Sequence, residues 1–312
     1  MNGRMTTKEN IYVGGKIFFH LKDRLMGGKV FSSDDKSEYL RTATPAEIAG
    51  EVNLTRDLYT RGFPVPEVIT SGELENGIAY YTEKSIGSRV FGEIFTTDTK
   101  NSGIVSEESF DSLVQTIKRY CEAQFNQKNF VPQDKNTLSS MVVFAEVMEH
   151  HPPSLEMQGL FTEAYEKISQ KIMSLPWGYV QSDLNAFNIL PNGIIDFELV
   201  GFGPIGYDVI TNVYFGRMWP KNRTAYILTD DQISRYVSEV DQIAQKKNLP
   251  IISSYLDEFL VLKAIWATGK AKGSDSADFL QWRVKVRDWC IKEYLKGNKI
   301  DTMQFEYQGT KG

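Results

Sequence analysis

The chain has 312 residues, more than one small domain usually holds, so its length predicts two lobes. Its 41% hydrophobic and 24% charged residues are ordinary for a soluble globular protein, and a formal net charge of −5 argues against a nucleic-acid binder. No apolar run approaches the ~20 residues of a membrane helix, and the opening MNGRMTTKENIYVGG has no apolar signal-peptide core. The expectation is a cytoplasmic protein without a membrane or nucleic-acid partner.

Residues 11 to 43 read as strands: Lys16 to Leu21, Met26 to Phe31, and Glu38 to Thr42. Gly27-Gly28 is either a plain hairpin turn or a turn whose amides approach phosphates. It does not match G-x-G-x-x-G. Thr44-Pro45-Ala46-Glu47 marks a helix start, with a Thr cap, Pro at the first position and a capping-box Glu. Ile48, Val52, Thr55 and Tyr59 follow at helical spacing, and Gly62 closes the helix. Val68-Ile69-Thr70 and Ile78 to Thr82 form a predicted hairpin around Glu75-Asn76-Gly77.

From Ser106 the pattern turns helical, with Phe110, Leu113, Ile117, Tyr120, Cys121 and Phe125 as one apolar stripe. Thr137 to Glu149 and Ser154 to Leu175 are further predicted helices. Trp177 to Asp208 then reads as strand, acidic loop, strand, turn, strand and a Gly/Pro-rich loop. Ile189-Leu190 and Ile194-Ile195 flank Pro191-Asn192-Gly193, a tight-hairpin signal. Helices are predicted at Val209 to Phe215, broken at Met218-Trp219-Pro220, and at about 231–247, 253–272 and 278–295. The polar tail Phe305 to Gly312 is expected to fray.

The chemistry concentrates in the Trp177–Asp208 stretch. From Ile172 to Gly216 there is no Lys or Arg, yet Asp183, Asp196, Glu198 and Asp208 are present. Carboxylates among apolar residues are costly to bury and call for a cation, and hard oxygen ligands at loop ends suit Mg²⁺ held against phosphates. Asn188 lies five residues after Asp183, and Asp196 eight beyond that. This is the D-x-x-x-x-N…D spacing of phosphoryl-transfer enzymes: a base for the attacking hydroxyl, then two metal-holding residues. Asn185 and Asn192 fit ordinary Asx turns. Only three histidines occur, His20, His150 and His151, which disfavours zinc and Ser-His-Asp chemistry. Cys121 and Cys290 lack a C-x-x-C partner and are expected reduced and buried.

These motifs resemble the aminoglycoside phosphotransferase and choline kinase family, small-molecule kinases of the protein-kinase-like fold. The family loop H-G-D-x-x-x-x-N corresponds to Gln181-Ser182-Asp183 through Asn188, and I-D-[FW]-E to Ile195-Asp196-Phe197-Glu198. Gly203-Pro204-Ile205-Gly206-Tyr207-Asp208 matches the G-x-P-x-x-[YF]-D that follows, and Gly62 to Pro66 a G-x-P-V-P segment. The resemblance implies an α+β, two-lobe architecture: a mainly β nucleotide-binding lobe at 1–84, and a mainly α lobe at 85–312 carrying the catalytic loop and acceptor site. It implies ATP or GTP as donor, Mg²⁺, and a small-molecule hydroxyl acceptor.

By the same resemblance Asp183 is the catalytic base, and Asn188 and Asp196 hold metal. Arg41, set by Glu51 of the following helix, orients phosphates in the place of the family's usual Lys. Glu83 and Ser85 mark the hinge that receives the base, Glu198 either joins the metal shell or orients the loop, and Asp208 braces the loop. Two positions depart: Gln181 replaces His, and Ser182 puts a side chain where the family has Gly. A catalytically silent nucleotide-binding module is the competing reading. A protein kinase is disfavoured, because no A-P-E segment occurs and Tyr207 follows Asp196 by only eleven positions. Tyr214, Trp219, Tyr255, Trp266 and Trp282 are aromatic residues of the second lobe that either pack as core or face a cationic acceptor.

Overall fold

In the computed structural model, which describes residues 10–24, 27–127, 133–218, 225–271 and 277–302, the N-terminal strand pattern becomes one antiparallel sheet. Its strands are β1 (Asn10–Val13), β2 (Lys16–Asp23), β3 (Lys29–Ser33), β4 (Glu38–Ala43), β5 (Val68–Glu73) and β6 (Ala79–Lys84), in the order β1-β2-β3-β4-β6-β5. Side chains alternate between faces along a strand. Val13, Phe18, Phe31 and Leu40 therefore form one core. Ala43, Ala79 and Tyr81 form a second, with Ile48 and Val52 of helix α1 (Pro45–Thr60). Arg41 stands opposite Tyr81 in the register, and Glu83 follows Tyr81 by two. All three therefore share the face that α1 covers.

The predicted capping box forms: the Thr44 side chain accepts from Glu47 N–H, and the Glu47 carboxylate accepts from Thr44 N–H. Ile48, Val52, Thr55 and Leu58 are the buried positions of α1, whereas Tyr59 is half exposed. Leu58 is thus buried where Tyr59 was expected, although 3.6 residues per turn bring position 59 nearer the bearing of Ile48. Gly28 is required where it stands. Its φ is +82°, and an added Cβ would sit 1.8 Å from the Thr42 carbonyl oxygen. The glycine lets β3 approach β4, which favours the hairpin-turn reading for that position.

The helices that follow are α2 (Phe91–Ser102), α3 (Glu107–Phe125), α4 (Lys135–Met141), α5 (Phe144–His150) and α6 (Leu155–Ile172). Then come strands β7 (Trp177–Gln181), β8 (Ile189–Leu190), β9 (Gly193–Ile194) and β10 (Val200–Pro204). Helices α7 (Tyr207–Phe215), α8 (Asp230–Lys246), α9 (Leu256–Gly269) and α10 (Ala277–Lys296) complete the series. The chain divides into two units, Met1–Val90 with Leu190–Glu198, and Phe91–Ile189 with Leu199–Gly312. The segment Leu190–Glu198 returns to the first unit: Ile194 N–H donates to the Pro64 carbonyl at 2.7 Å. A Cβ on Gly193 would lie 2.3 Å from that same oxygen, so only glycine admits the approach.

In the second unit the expected helix from Thr137 to Glu149 is two helices. Val143 adopts φ +49° between them, with its side chain and that of Val147 lying where a Cβ on Gly269 would go. Val200–Pro204, read as the start of a loop, is a strand paired antiparallel with β7. Helix α2 was not foreseen. Helix α9 is buried from Glu258 through Thr268, so its sequence lacks the one-sided pattern of a surface helix. Cys121 and Cys290 are free thiols and buried. No helix among the described residues is long and apolar enough to cross a membrane. Trp219, Pro220, the tail from Phe305 and the side chain of Glu198 lie outside the described residues.

Candidate active site

Four of the residues singled out from the sequence line one cavity of the first unit. Arg41, Glu51, Glu83 and Asp196 surround it together with Arg24, Tyr81 and Phe197. Ser85 is not among its lining residues. Asp196 reaches this position with φ +65°, left-handed backbone that is uncommon for an L-residue, though Asp enters it more readily than most.

The ion pairs differ from the expected Arg41–Glu51 couple. Arg41 Nε donates to Glu83 Oε1 at 2.8 Å, and Arg24 Nη2 donates to Glu51 Oε1 at 2.5 Å. The reason is the strand period: Glu83 and Arg41 lie on adjacent strands and one face, whereas Arg24 reaches Glu51 from the β2–β3 connection. Burial works against the charge of Arg41, but the carboxylates of Glu83 and Glu51 outweigh it and raise its pKa. At the end of β6, Lys84 N–H donates to the Glu67 carbonyl at 2.9 Å and Ser85 N–H to the Ser37 carbonyl at 2.8 Å. The Ser85 hydroxyl turns to the Gly87 carbonyl at 3.3 Å.

The second unit holds Asp183 and Asn188 in one turn after β7. Asn185 caps the short 3-10 helix Ala186–Asn188, its Oδ1 accepting from Phe187 N–H at 2.8 Å. Its Nδ2 donates to Asp183 Oδ1 at 3.0 Å. Asn188 Nδ2 donates to the Asp183 carbonyl at 2.9 Å, which turns its amide oxygen the other way. Asp183 is half-buried. Ser182 does not take left-handed backbone, so the family's glycine has no conformational counterpart here.

Asp208 ties this loop to the helices. Its carboxylate accepts from Gln181 N–H at 2.8 Å, Tyr120 Oη–H at 2.5 Å, Gln124 Nε2 at 3.0 Å and Val209 N–H at 2.9 Å. Burial raises its pKa, and the hydrogen bonds from Tyr120 and Gln124 work against that rise. Gln124 also donates to the Tyr179 carbonyl and accepts from Gly206 N–H, both at 2.9 Å.

The sequence offered no basic residue near this loop, and the second unit supplies one from far along the chain. Lys263 of α9 is buried, with its Nζ donating to the Ser182 carbonyl. The ammonium lies 3.9 Å from the Trp266 ring centroid and 4.5 Å from that of Phe215. Burial lowers its pKa to about 8, against the attraction of Asp183 and Asp208. Sequence reasoning missed Lys263 and Arg24. The available signal for Lys263 was a lone lysine inside the apolar run Phe259 to Trp266, set against a lysine-free catalytic stretch.

The aromatic candidates turn largely inward. Trp266 faces Lys263, and Tyr255 faces Lys171 at 5.7 Å and stacks on Phe259. Trp282 is buried, its Nε1 donating to the Met218 carbonyl. Tyr214 is only partly buried.

A six-stranded antiparallel sheet with its helix after the fourth strand, a helical second unit, and an Asp/Asn turn ahead of a short hairpin define the protein-kinase-like class. Residues 31–239 match the model of the phosphotransferase enzyme family, so the chain belongs to that family and is a small-molecule kinase. Solved structures with a similar fold include a thermostable aminoglycoside phosphotransferase APH(4)-Ia bound to ADP and hygromycin B. It is 14% identical, with 88% of this chain and 93% of that one covered and a TM-score of 0.57. Amicoumacin kinase hAmiN, in complex with AMP-PNP, Ca²⁺ and Ami, is 15% identical over 92% and 91%, TM-score 0.55. The GDP complex of aminoglycoside 2'-phosphotransferase-IIIa is 11% identical over 88% and 92%, TM-score 0.57. At these identities the likeness is one of fold. No curated protein matches the sequence at a significant level.

Proposed function

We propose that the protein transfers the γ-phosphoryl group of ATP or GTP to a hydroxyl of a small molecule, in the cytoplasm. The reading rests on one observation above the rest: Asn188 is bonded to the Asp183 carbonyl, so one turn presents a carboxylate and an amide oxygen together. Asp183 orients the acceptor hydroxyl and takes its proton as the oxygen attacks the γ-phosphorus. The bond to the β-phosphate breaks, and the nucleoside diphosphate leaves. Positioned base help of this kind is worth ~10²–10⁴-fold.

In this reading residues 1–84 form the nucleotide lobe and 85–312 the lobe with the catalytic loop and acceptor site. Arg41 grips the phosphates with its fork of N–H donors. Glu51 and Glu83 sit behind the two guanidiniums of the cavity, Arg24 and Arg41. The Glu83–Ser85 hinge receives the base through its carbonyls, since the Lys84 and Ser85 amides already donate elsewhere. Asn188, whose amide oxygen is turned away from the Asp183 carbonyl, and Asp196, a carboxylate lining the arginine-bearing cavity, are the residues that would hold Mg²⁺ in this reading. Such an ion would neutralise charge on the transferring phosphates.

The acceptor is an aminoglycoside-like antibiotic, choline, ethanolamine or a related hydroxyl metabolite. A panel of such compounds, assayed for acceptor-dependent ATP consumption and for the phosphorylated product, tests the reading. Turnover in the wild type that Asp183→Asn abolishes is the expected outcome. Turnover unchanged in Asp183→Asn removes Asp183 from the mechanism.

A further inference from the structure

A lysine held in a core is costly, because burial disfavours its charged form. Lys263 is 1% exposed, and among the described residues it makes no direct ion pair. A side chain that served packing alone would be better apolar. The surroundings instead select an ammonium: a carbonyl accepts from it, and two aromatic faces, Trp266 and Phe215, flank it. The carbonyl is that of Ser182, the residue joined directly to Asp183.

We propose that Lys263 is a positioning residue for phosphoryl transfer: its ammonium holds the Ser182–Asp183 peptide, and with it the Asp183 carboxylate, in the orientation that receives the acceptor hydroxyl. This rests on the phosphotransferase reading given above. The geometry has three parts. The hydrogen bond to the Ser182 carbonyl fixes the peptide on the N-terminal side of Asp183. The Asn188 bond to the Asp183 carbonyl fixes the C-terminal side. The charge of Lys263 also attracts the Asp183 carboxylate.

The surroundings of the ammonium define its titration. The catalytic loop presents Asp183, and α7 presents Asp208. From α10, Arg283 is committed to the Ala267 carbonyl, and Arg287 to Asp288 and the His151 carbonyl. The junction of α4 and α5 brings Val143 and Val147 to the C-terminal end of α9. The 3-10 turn Ile252–Tyr255 before α9 places Tyr255 on Phe259. With burial prevailing over the two carboxylates, Lys263 loses its proton near pH 8, and the hold on the loop weakens there.

The test compares wild type, Lys263→Met, Lys263→Arg and Asp183→Asn, each checked for folding by circular dichroism. The expected result is a kcat lowered roughly 10- to 100-fold in Lys263→Met, the scale of a mispositioned catalytic group. The KM for nucleotide should stay within about twofold, since nucleotide contacts lie elsewhere. Wild-type kcat should fall with a midpoint near pH 8. Lys263→Arg should recover part of the lost rate and carry no such fall, because its charge persists throughout.

A wild-type kcat flat from pH 7 to 9.5 overturns the proposal even if neither variant folds. So does Lys263→Met with the wild-type kcat and profile. If wild type turns over and Asp183→Asn does not, either of those results removes Lys263 alone. A wild type without any ATP-dependent transfer or hydrolysis removes the functional reading, and the role of Lys263 with it.

Discussion

The backbone amide of Gln181 donates a 2.8 Å hydrogen bond to Asp208, a carboxylate that also receives the Tyr120 hydroxyl. The first residue of the Gln181–Asn188 loop is thereby fixed by a residue 27 positions later. Asp208→Asn keeps the shape but loses an acceptor, and turns an N–H₂ toward donors. We expect a loss of about 2–3 kcal/mol, the scale of buried hydrogen bonds to a charged group. Urea denaturation measures it, and an unchanged midpoint with unchanged slope would remove Asp208 as the brace.

The Arg41–Glu83 pair gives a second expectation. Its side chains are 16% and 6% exposed, so removing one partner strands a buried charge. Glu83→Gln should cost about 3–5 kcal/mol. Arg41→Gln should cost stability too, and should also raise the nucleotide KM at least tenfold by removing a phosphate ligand, about 1.4 kcal/mol of binding. A nucleotide KM that Arg41→Gln leaves intact would assign the pair to folding alone.

Metal dependence tests the proposed division between Asn188 and Asp196 as metal ligands and Asp183 as the base. EDTA should abolish transfer, and Mg²⁺ should restore it. Asp196→Asn and Asn188→Ala should each raise the Mg²⁺ concentration for half-maximal rate by tenfold or more. Asp183→Asn should lower kcat without that change. Full turnover in EDTA contradicts the assignment of both residues.

Lys263 also links stability to pH. Its folded pKa of about 8 lies below the ordinary 10.5. Between those values the unfolded chain binds a proton that the folded chain lacks, so this lysine adds stability as pH rises. Below pH 8 its burial subtracts from stability in full. The unfolding free energy of wild type minus that of Lys263→Met should therefore increase from pH 7 to pH 10, by on the order of 3 kcal/mol. A difference independent of pH would show the lysine titrating at its ordinary value.

Gly28 and Gly27 separate close approach from turn conformation. Both have positive φ, but a Cβ at Gly27 meets nothing within 4 Å, whereas at Gly28 it meets Thr42. Gly27→Ala should cost about 1–2 kcal/mol for the left-handed backbone. Gly28→Ala should cost clearly more, and equal melting temperatures for the two would refute the packing argument.

Local chemistry made much of this protein readable in one dimension. The capping box at Thr44, the alternation in the strands and the hairpin at Pro191-Asn192 depend on neighbours within a few residues, and each formed where its signal lay. The loop from Gln181 to Asn188 was legible for the same reason: Asp183, Asn185 and Asn188 bond to one another over five positions. The break at Val143 and the strand Val200–Pro204 were not, because packing against Gly269 of α9 and pairing with β7 accompany them. Charge partners were the least legible part. The sequence established that the Trp177–Asp208 stretch holds carboxylates and no cation of its own. Only the tertiary structure decided that Glu83 takes Arg41, that Glu51 takes Arg24, and that Lys263 reaches the Ser182 carbonyl from α9. Electrostatic attraction depends on distance in space, and chain separation does not set that distance in a folded core.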